Sequence, residues 1–241
     1  MLLAFNAGAV NAGGFLVLHA YTSHMTGFVS QIADGAVLGN GVLVAGACGA
    51  ILSFTFGAAV CAFLVNWGRT RGLHSVYALP LVLEAAMLAI FGMVGATAVA
   101  GSAASSIPLI GLLLAFTMGL QNAVASKTSG GSIRTTHMTG NITDLGMELG
   151  KRAFWSSLPA SVDARSTSRP DAQRLGTSAG LAGMFLAGAL AGAAAFKHVG
   201  FSSVVPLAAV LLALSMPPLW RDVRSRRARR RRRALVAGTL D

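Results

Sequence analysis

Gly41 to Trp67 runs for 27 residues without an acidic or basic side chain. A helix of that length rises about 40 Å at about 1.5 Å per residue. That is more than enough to cross the apolar layer of a bilayer, which takes about 20 residues. A segment this long and uncharged has few homes outside a membrane. The rest of the chain agrees: 54% of residues are hydrophobic and only 11% are charged, against roughly 25% in a soluble domain.

Five further segments have comparable character: Met1 to Leu18, Val76 to Ala100, Ile107 to Val124, Leu175 to Phe196 and Phe201 to Trp220. The first and fourth are short and rich in small or polar residues. The third carries one acid, Glu84. No basic stretch precedes the first segment, so it is read as a span and not as a cleaved signal. The fold class expected is all-α, a polytopic membrane protein of about six transmembrane helices.

The net charge of +11 is unevenly spread. Nine basic residues lie between Arg221 and Arg233, seven between Lys127 and Arg174, and two at Arg69 and Arg71. With six spans and both termini inside, these 18 face the cytoplasm and only Lys197 lies outside. That bias follows the rule for cytoplasmic loops and sets both termini on the cytoplasmic side. The arginine-rich tail, including Arg221, Arg224, Arg226 and Arg227, is expected to contact anionic lipid headgroups. Nucleic acid is not an expected partner, because no aromatic residues interleave the arginines. Ser156 to Arg174 reads as a flexible linker.

Self-similarity is the most informative pattern. Ala4-Phe5-x-x-Gly8-x-x-Asn11-Ala12 recurs as Ala115-Phe116-x-x-Gly119-x-x-Asn122-Ala123. Ser23-His24-Met25-Thr26-Gly27 recurs as Thr136-His137-Met138-Thr139-Gly140. After each motif the apolar residues keep one helical face: Met25, Val29, Ile32 and Ala36, then Met138, Ile142, Leu145 and Leu149. A weaker echo links Pro80-Leu81 to Pro206-Leu207. The chain therefore divides into residues 1–106, residues 107–220, and an arginine-rich tail at 221–241. Three spans per unit is an odd number, so the second copy enters the membrane from the opposite side. Such inverted repeats recur among secondary transporters, whose sites lie between the repeats.

The two blocks, with Ile133-Arg134-Thr135-Thr136 leading into the second motif and Asn141 following it, resemble the YoaK-type family of bacterial membrane proteins. The resemblance covers roughly Ala4 to Trp220 and is most specific from Gln121 to Asn141. It implies a multi-span inner-membrane protein of unknown function, and no activity. An acid is common in that family where this chain has Asn11, so no role that needs a negative charge there is implied.

Ligand-binding candidates follow from the duplicated residues. Thr26 and Gly27, like Thr139 and Gly140, stand where a helix start can be capped while its backbone N–H groups face a ligand. His24 and His137 suit an ion or solute site, or a plain structural cap. Asn11 and Asn122 fit interhelical hydrogen bonding. Glu84, alone inside a span, is a proton or cation candidate, or else a paired structural acid. Gly-x-x-x-Gly spacings at 176/180 and 188/192, with Ala45-x-x-x-Gly49 and Ser53-x-x-x-Gly57, suit close helix packing within the chain or against a second copy.

No catalytic constellation, metal-ligand spacing or cofactor motif is present. Cys48 and Cys61 lie about 20 Å apart along one helix, too far for a disulfide. Ser129-Gly130-Gly131-Ser132 lacks the Lys of a phosphate loop. The reading is therefore not an enzyme but a small-solute or ion transporter, with a non-transporting membrane scaffold or sensor as the alternative.

Overall fold

A computed structural model describes residues 1–18, 21–100, 107–129, 135–157 and 169–237. The described residues are helical throughout, without strands: α1 (Leu2–Leu18), α2 (Met25–Val37), α3 (Gly41–Thr70), α4 (Ala78–Ala100), α5 (Ile107–Thr128), α6 (Met138–Ser156), α7 (Ala172–Val199), a 3-10 turn (Gly200–Ser203) and α8 (Val204–Ala237). Most of the expected linker, together with Gly130, Gly131 and Arg134, lies outside the described residues.

Local chemistry sets the helix boundaries. Asn40 precedes α3 and its side chain accepts from the Leu43 N–H at 3.1 Å. Asp171 does the same for α7, accepting from the N–H groups of Gln173 and Arg174. These caps satisfy donors that a helix start leaves bare. Gly200 ends α7 with φ +66°, a conformation open mainly to glycine. The turn before α4 is tied to a distant helix: the Asp222 carboxylate of α8 accepts from the N–H groups of His74 and Ser75, at 3.1 and 2.9 Å.

Among the described residues four stretches are long and apolar enough to cross a membrane: Gly41–Thr70, Ala78–Thr97, Pro108–Thr128 and Ala172–Asp222. The last is 51 residues long and contains α7 and the first part of α8, broken at the 3-10 turn. α1 is apolar but shorter. Large apolar side chains face outward along these helices, including Val42 (85% exposed), Leu52, Phe63, Leu190 and Val205. Surface of this kind is stable against lipid and costly in water. The chain is a membrane protein.

The interior is built on paired crossings. α1 packs on α7, α5 on α3, and α4 on both α8 and α5. At the two α1–α7 and α3–α5 crossings, glycine meets backbone. A Cβ on Gly8 would collide with the Phe185 carbonyl, and one on Gly188 with the Phe5 carbonyl. Likewise Gly119 abuts Phe54, and Gly57 abuts Phe116. Each of the four helices thus carries Phe-x-x-Gly at its crossing. Gly192 continues the first ladder at Ala9, so α1 and α7 run parallel. Three of the four small-residue spacings join this packing: Gly192 on α1, Ser53 through a hydroxyl bond to the Leu112 carbonyl at 2.7 Å, and Gly180 against Met1. Phe91, Phe196 and Phe201 fill the adjoining core with ring centroids 5.5 to 6.3 Å apart.

α2 and α6 are amphipathic, and α6 turns polar residues inward. Val29 (60% exposed), Ile142 and Leu149 point out, while Gly35, Asn141 and Glu148 are buried. α8 does not stop at Trp220 but continues as helix through the arginine-rich segment to Ala237.

Candidate functional site

The two duplicated motifs are built alike. In the first half, the Ser23 hydroxyl donates to the Asn11 side-chain oxygen of α1 at 2.8 Å. In the second, the Asn122 oxygen of α5 accepts from the Thr136 N–H at 3.2 Å and from the Thr135 hydroxyl at 3.4 Å. The Asn122 amide also donates to the Thr136 hydroxyl. Each asparagine therefore holds the residue before a histidine, and from that point a helix begins.

His24 and His137 occupy the N-cap positions of α2 and α6, and neither side chain makes a capping hydrogen bond. This corrects the expectation that the threonines cap. Thr26 and Thr139 lie inside the first turn, where their hydroxyls are exposed. The glycines serve the imidazoles instead. A Cβ on Gly27 would stand 3.1 Å from the His24 Nδ1, and one on Gly140 would overlap the His137 ring. Neither helix has an acid in its first turn.

Both helix starts open on one cavity of about 500 Å³. Its walls are Ser23 to Thr26, Thr136 to Thr139, Phe54 and Ala58 of α3, and Gly119, Asn122, Ala123 and Ser126 of α5. The two histidines are its titratable groups, and hydroxyls of Ser23, Thr26, Ser126, Thr136 and Thr139 surround them. Uncapped helix N-termini, hydroxyl donors and no carboxylate make an environment that favours a solute with hydrogen-bond acceptors or negative charge.

The structure does not bring Glu84 into this cavity. Glu84 sits on α4 at 0% exposure, between the core residues Leu81, Ala85 and Leu88, and neither carboxyl oxygen has a hydrogen-bond partner. Asn11 stands behind the wall and reaches it through Ser23. Arg221 and Arg224 are exposed on α8, far along the chain from both motifs, and the side chains of Arg226 and Arg227 lie outside the described residues. Among the described residues no group of three or more His, Cys, Asp or Glu is placed to hold a metal. Sequence reasoning missed Ser126, whose contribution depends on which face of α5 turns to the cavity. It also missed Phe54-x-x-Gly57 and Phe185-x-x-Gly188, which repeat at an offset of 131, not 111, and so fall out of register with the first block.

The sequence model of a family described as "Protein of unknown function (DUF1275)" matches residues 1–216. The chain belongs to this family. It is also similar to the UPF0700 transmembrane protein YoaK of Bacillus subtilis (strain 168), at 26% identity over 157 residues, covering 64% of this chain and 67% of that one. These likenesses agree with the YoaK-type resemblance carried by the duplicated motifs. No solved structure matches.

Proposed function

We propose that the chain is a small-solute or ion transporter of the bacterial inner (plasma) membrane, built from two inverted repeats with both termini in the cytoplasm. The six spans are α1, α3, α4, α5, α7 and α8, and α2 and α6 are half-helices that start inside the membrane. The observation that carries this reading is the meeting of two corresponding helix starts, one from each half, at one cavity that also holds both histidines. Broken helices aimed at a shared cavity between repeats are the architecture of many secondary transporters. Non-helical backbone at such depth is tolerated when it lines a cavity or is buried in protein.

The reciprocal crossings support the inverted arrangement. Exchanging α1 for α5 and α3 for α7 maps the α1–α7 contact onto the α5–α3 contact. The solute site comprises His24, Thr26, His137, Thr139 and Asn122, with Gly27 and Gly140 making room for the imidazoles. Glu84, buried without a counter-charge, is the acid available to take up and release a proton during transport. The arginines after Trp220 hold the cytoplasmic end of α8 at anionic lipid.

The test is a thermal-shift panel of small anions, cations and neutral solutes on purified protein, followed by flux of any stabilising solute into proteoliposomes. A stabilising solute raises the melting temperature by mass action. Replacing His24 and His137 together by Gln is expected to abolish both the shift and the flux. Flux unaffected by that double replacement overturns the site. A panel without any stabilising solute favours the scaffold or sensor.

A further inference from the structure

The walls of the histidine cavity are of two kinds. Met25, Phe54, Ala58, Ala123 and Met138 give it apolar surface. Its polar groups belong to the two duplicated motifs and to Asn122 and Ser126 of α5. Its volume of about 500 Å³ is that of an ordinary small-molecule pocket, where apolar walls bind and a few polar groups orient.

The sequence settles the sign of the charge that can reach this space. No acid precedes Asp34, and none lies between Glu84 and Asp144. α3 has none from Gly41 to Thr70. Every segment that contributes to the wall is therefore free of carboxylates. The nearest acids on α2 and α6 stand away from the helix starts. Asp34 is nine residues beyond Met25, about 14 Å along the helix. Asp144 is paired with Arg174 at 2.9 Å.

We propose that the occupant of the histidine cavity is a small organic monoanion, a carboxylate or similar headgroup on a short apolar body. The proposal rests on the solute site described above and names the class of that solute. The imidazoles of His24 and His137, the hydroxyls beside them and the uncapped first N–H groups of α2 and α6 hold the headgroup, and both helix dipoles favour negative charge there. The body lies against Met25, Phe54 and Met138. An organic cation would meet no counter-charge, so its desolvation would go uncompensated. A bare inorganic ion gains nothing from the apolar wall, which cannot replace its hydration.

The probe is radiolabelled hexanoate, bound to the purified full chain and competed with hexanamide, hexylamine and nitrate. Saturable binding is expected, and unlabelled hexanoate should displace the label at least about tenfold better than any of the three, because each lacks the charge, its sign or the apolar body. Ser126→Asp sets a carboxylate in the wall. It should lose at least about tenfold more affinity for hexanoate than Ser126→Asn, which has the same shape without the charge. The competition series is read on the parent protein and stands whether or not the variants fold. Equal loss in two folded variants overturns the proposal, and so does the absence of saturable hexanoate binding. Displacement by hexanamide, hexylamine or nitrate as strong as by hexanoate overturns it as well. If that less selective binding is lost when His24 and His137 are both replaced by Gln, the solute site survives with another class of solute. Binding that persists in the double variant removes the site together with the proposal.

Discussion

A methyl group at position 140 would fall on the imidazole of His137. The imidazole is exposed and can swing aside, so the cost falls below the roughly 1–3 kcal/mol of overpacking in a core. Gly140→Ala is therefore expected to melt below Gly146→Ala and Gly150→Ala in detergent, although alanine suits a helix better than glycine. The same change at Gly146 or Gly150, which have open space around them, should be neutral or mildly stabilising. Combining Gly140→Ala with His137→Ala should cost less than the two changes added, because the clash has lost one partner. Strict additivity would show that the ring does not lie over the glycine. Glu84 behaves differently. It has no hydrogen bond to lose, so Glu84→Gln should melt no lower than the parent. If Glu84 carries the coupled proton, the same variant should transport without responding to a pH gradient. The identity of these residues was legible in the duplicated motif and in the isolated acid. Their separation was not: spacing along a helix gives depth, but the direction a side chain faces depends on neighbours more than 20 residues away.

Two kinds of element contact set the rigidity of the halves. At the α1–α7 and α3–α5 crossings, backbone touches backbone, and no side chain can yield. Gly57→Ala and Gly188→Ala should each destabilise more than Gly146→Ala, and by similar amounts, since both push one helix away from a carbonyl. The second kind joins α6 to α7 by charge. The Glu148 carboxylate accepts from Lys151 Nζ at 2.6 Å and from the Asp171 N–H at 2.7 Å, and Arg174 pairs with Asp144 at 2.9 Å. The Lys151 bond first, and the Asp171 N–H second, hold Glu148 below its ordinary value of 4.5. A carboxyl lowered in the folded state stabilises at pH above its unfolded value, and that contribution is lost as pH falls through the folded one. The melting temperatures of the parent and of Glu148→Gln should therefore differ at neutral pH and converge on acidification below 4.5. A constant gap would assign Glu148 a packing role only. The limits of α3 and α4 were legible to within a few residues from the apolar runs alone, whereas α8 continues to Ala237, past its expected end at Trp220. The inward polar face of α6 was not legible, since Glu148 finds its meaning only against the Asp171 N–H just before α7.

At the scale of the molecule, the inverted arrangement has a consequence that local packing does not. Leu38 follows α2 and Ser157 follows α6, so the two residues occupy corresponding places in the halves. Two copies inserted in the same sense would put both on one side of the membrane. Inversion puts them on opposite sides, with Leu38 outside and Ser157 in the cytoplasm. Val199, at the end of α7, should join Leu38 outside, and Arg69, at the end of α3, should join Ser157 inside. All four positions are exposed, so each can take a cysteine once Cys48 and Cys61 are replaced. A membrane-impermeant maleimide applied to intact spheroplasts is expected to label the Leu38→Cys and Val199→Cys variants and to leave the other two until the cells are opened. Arginine and lysine counts alone predict the same pattern, so agreement would join two independent arguments, one from charge and one from the mutual packing of α1, α3, α5 and α7. Labelling of Leu38→Cys and Ser157→Cys from one side would break the exchange that maps one crossing onto the other. The histidine cavity would then be a meeting of two loops on one face, without a route across the bilayer.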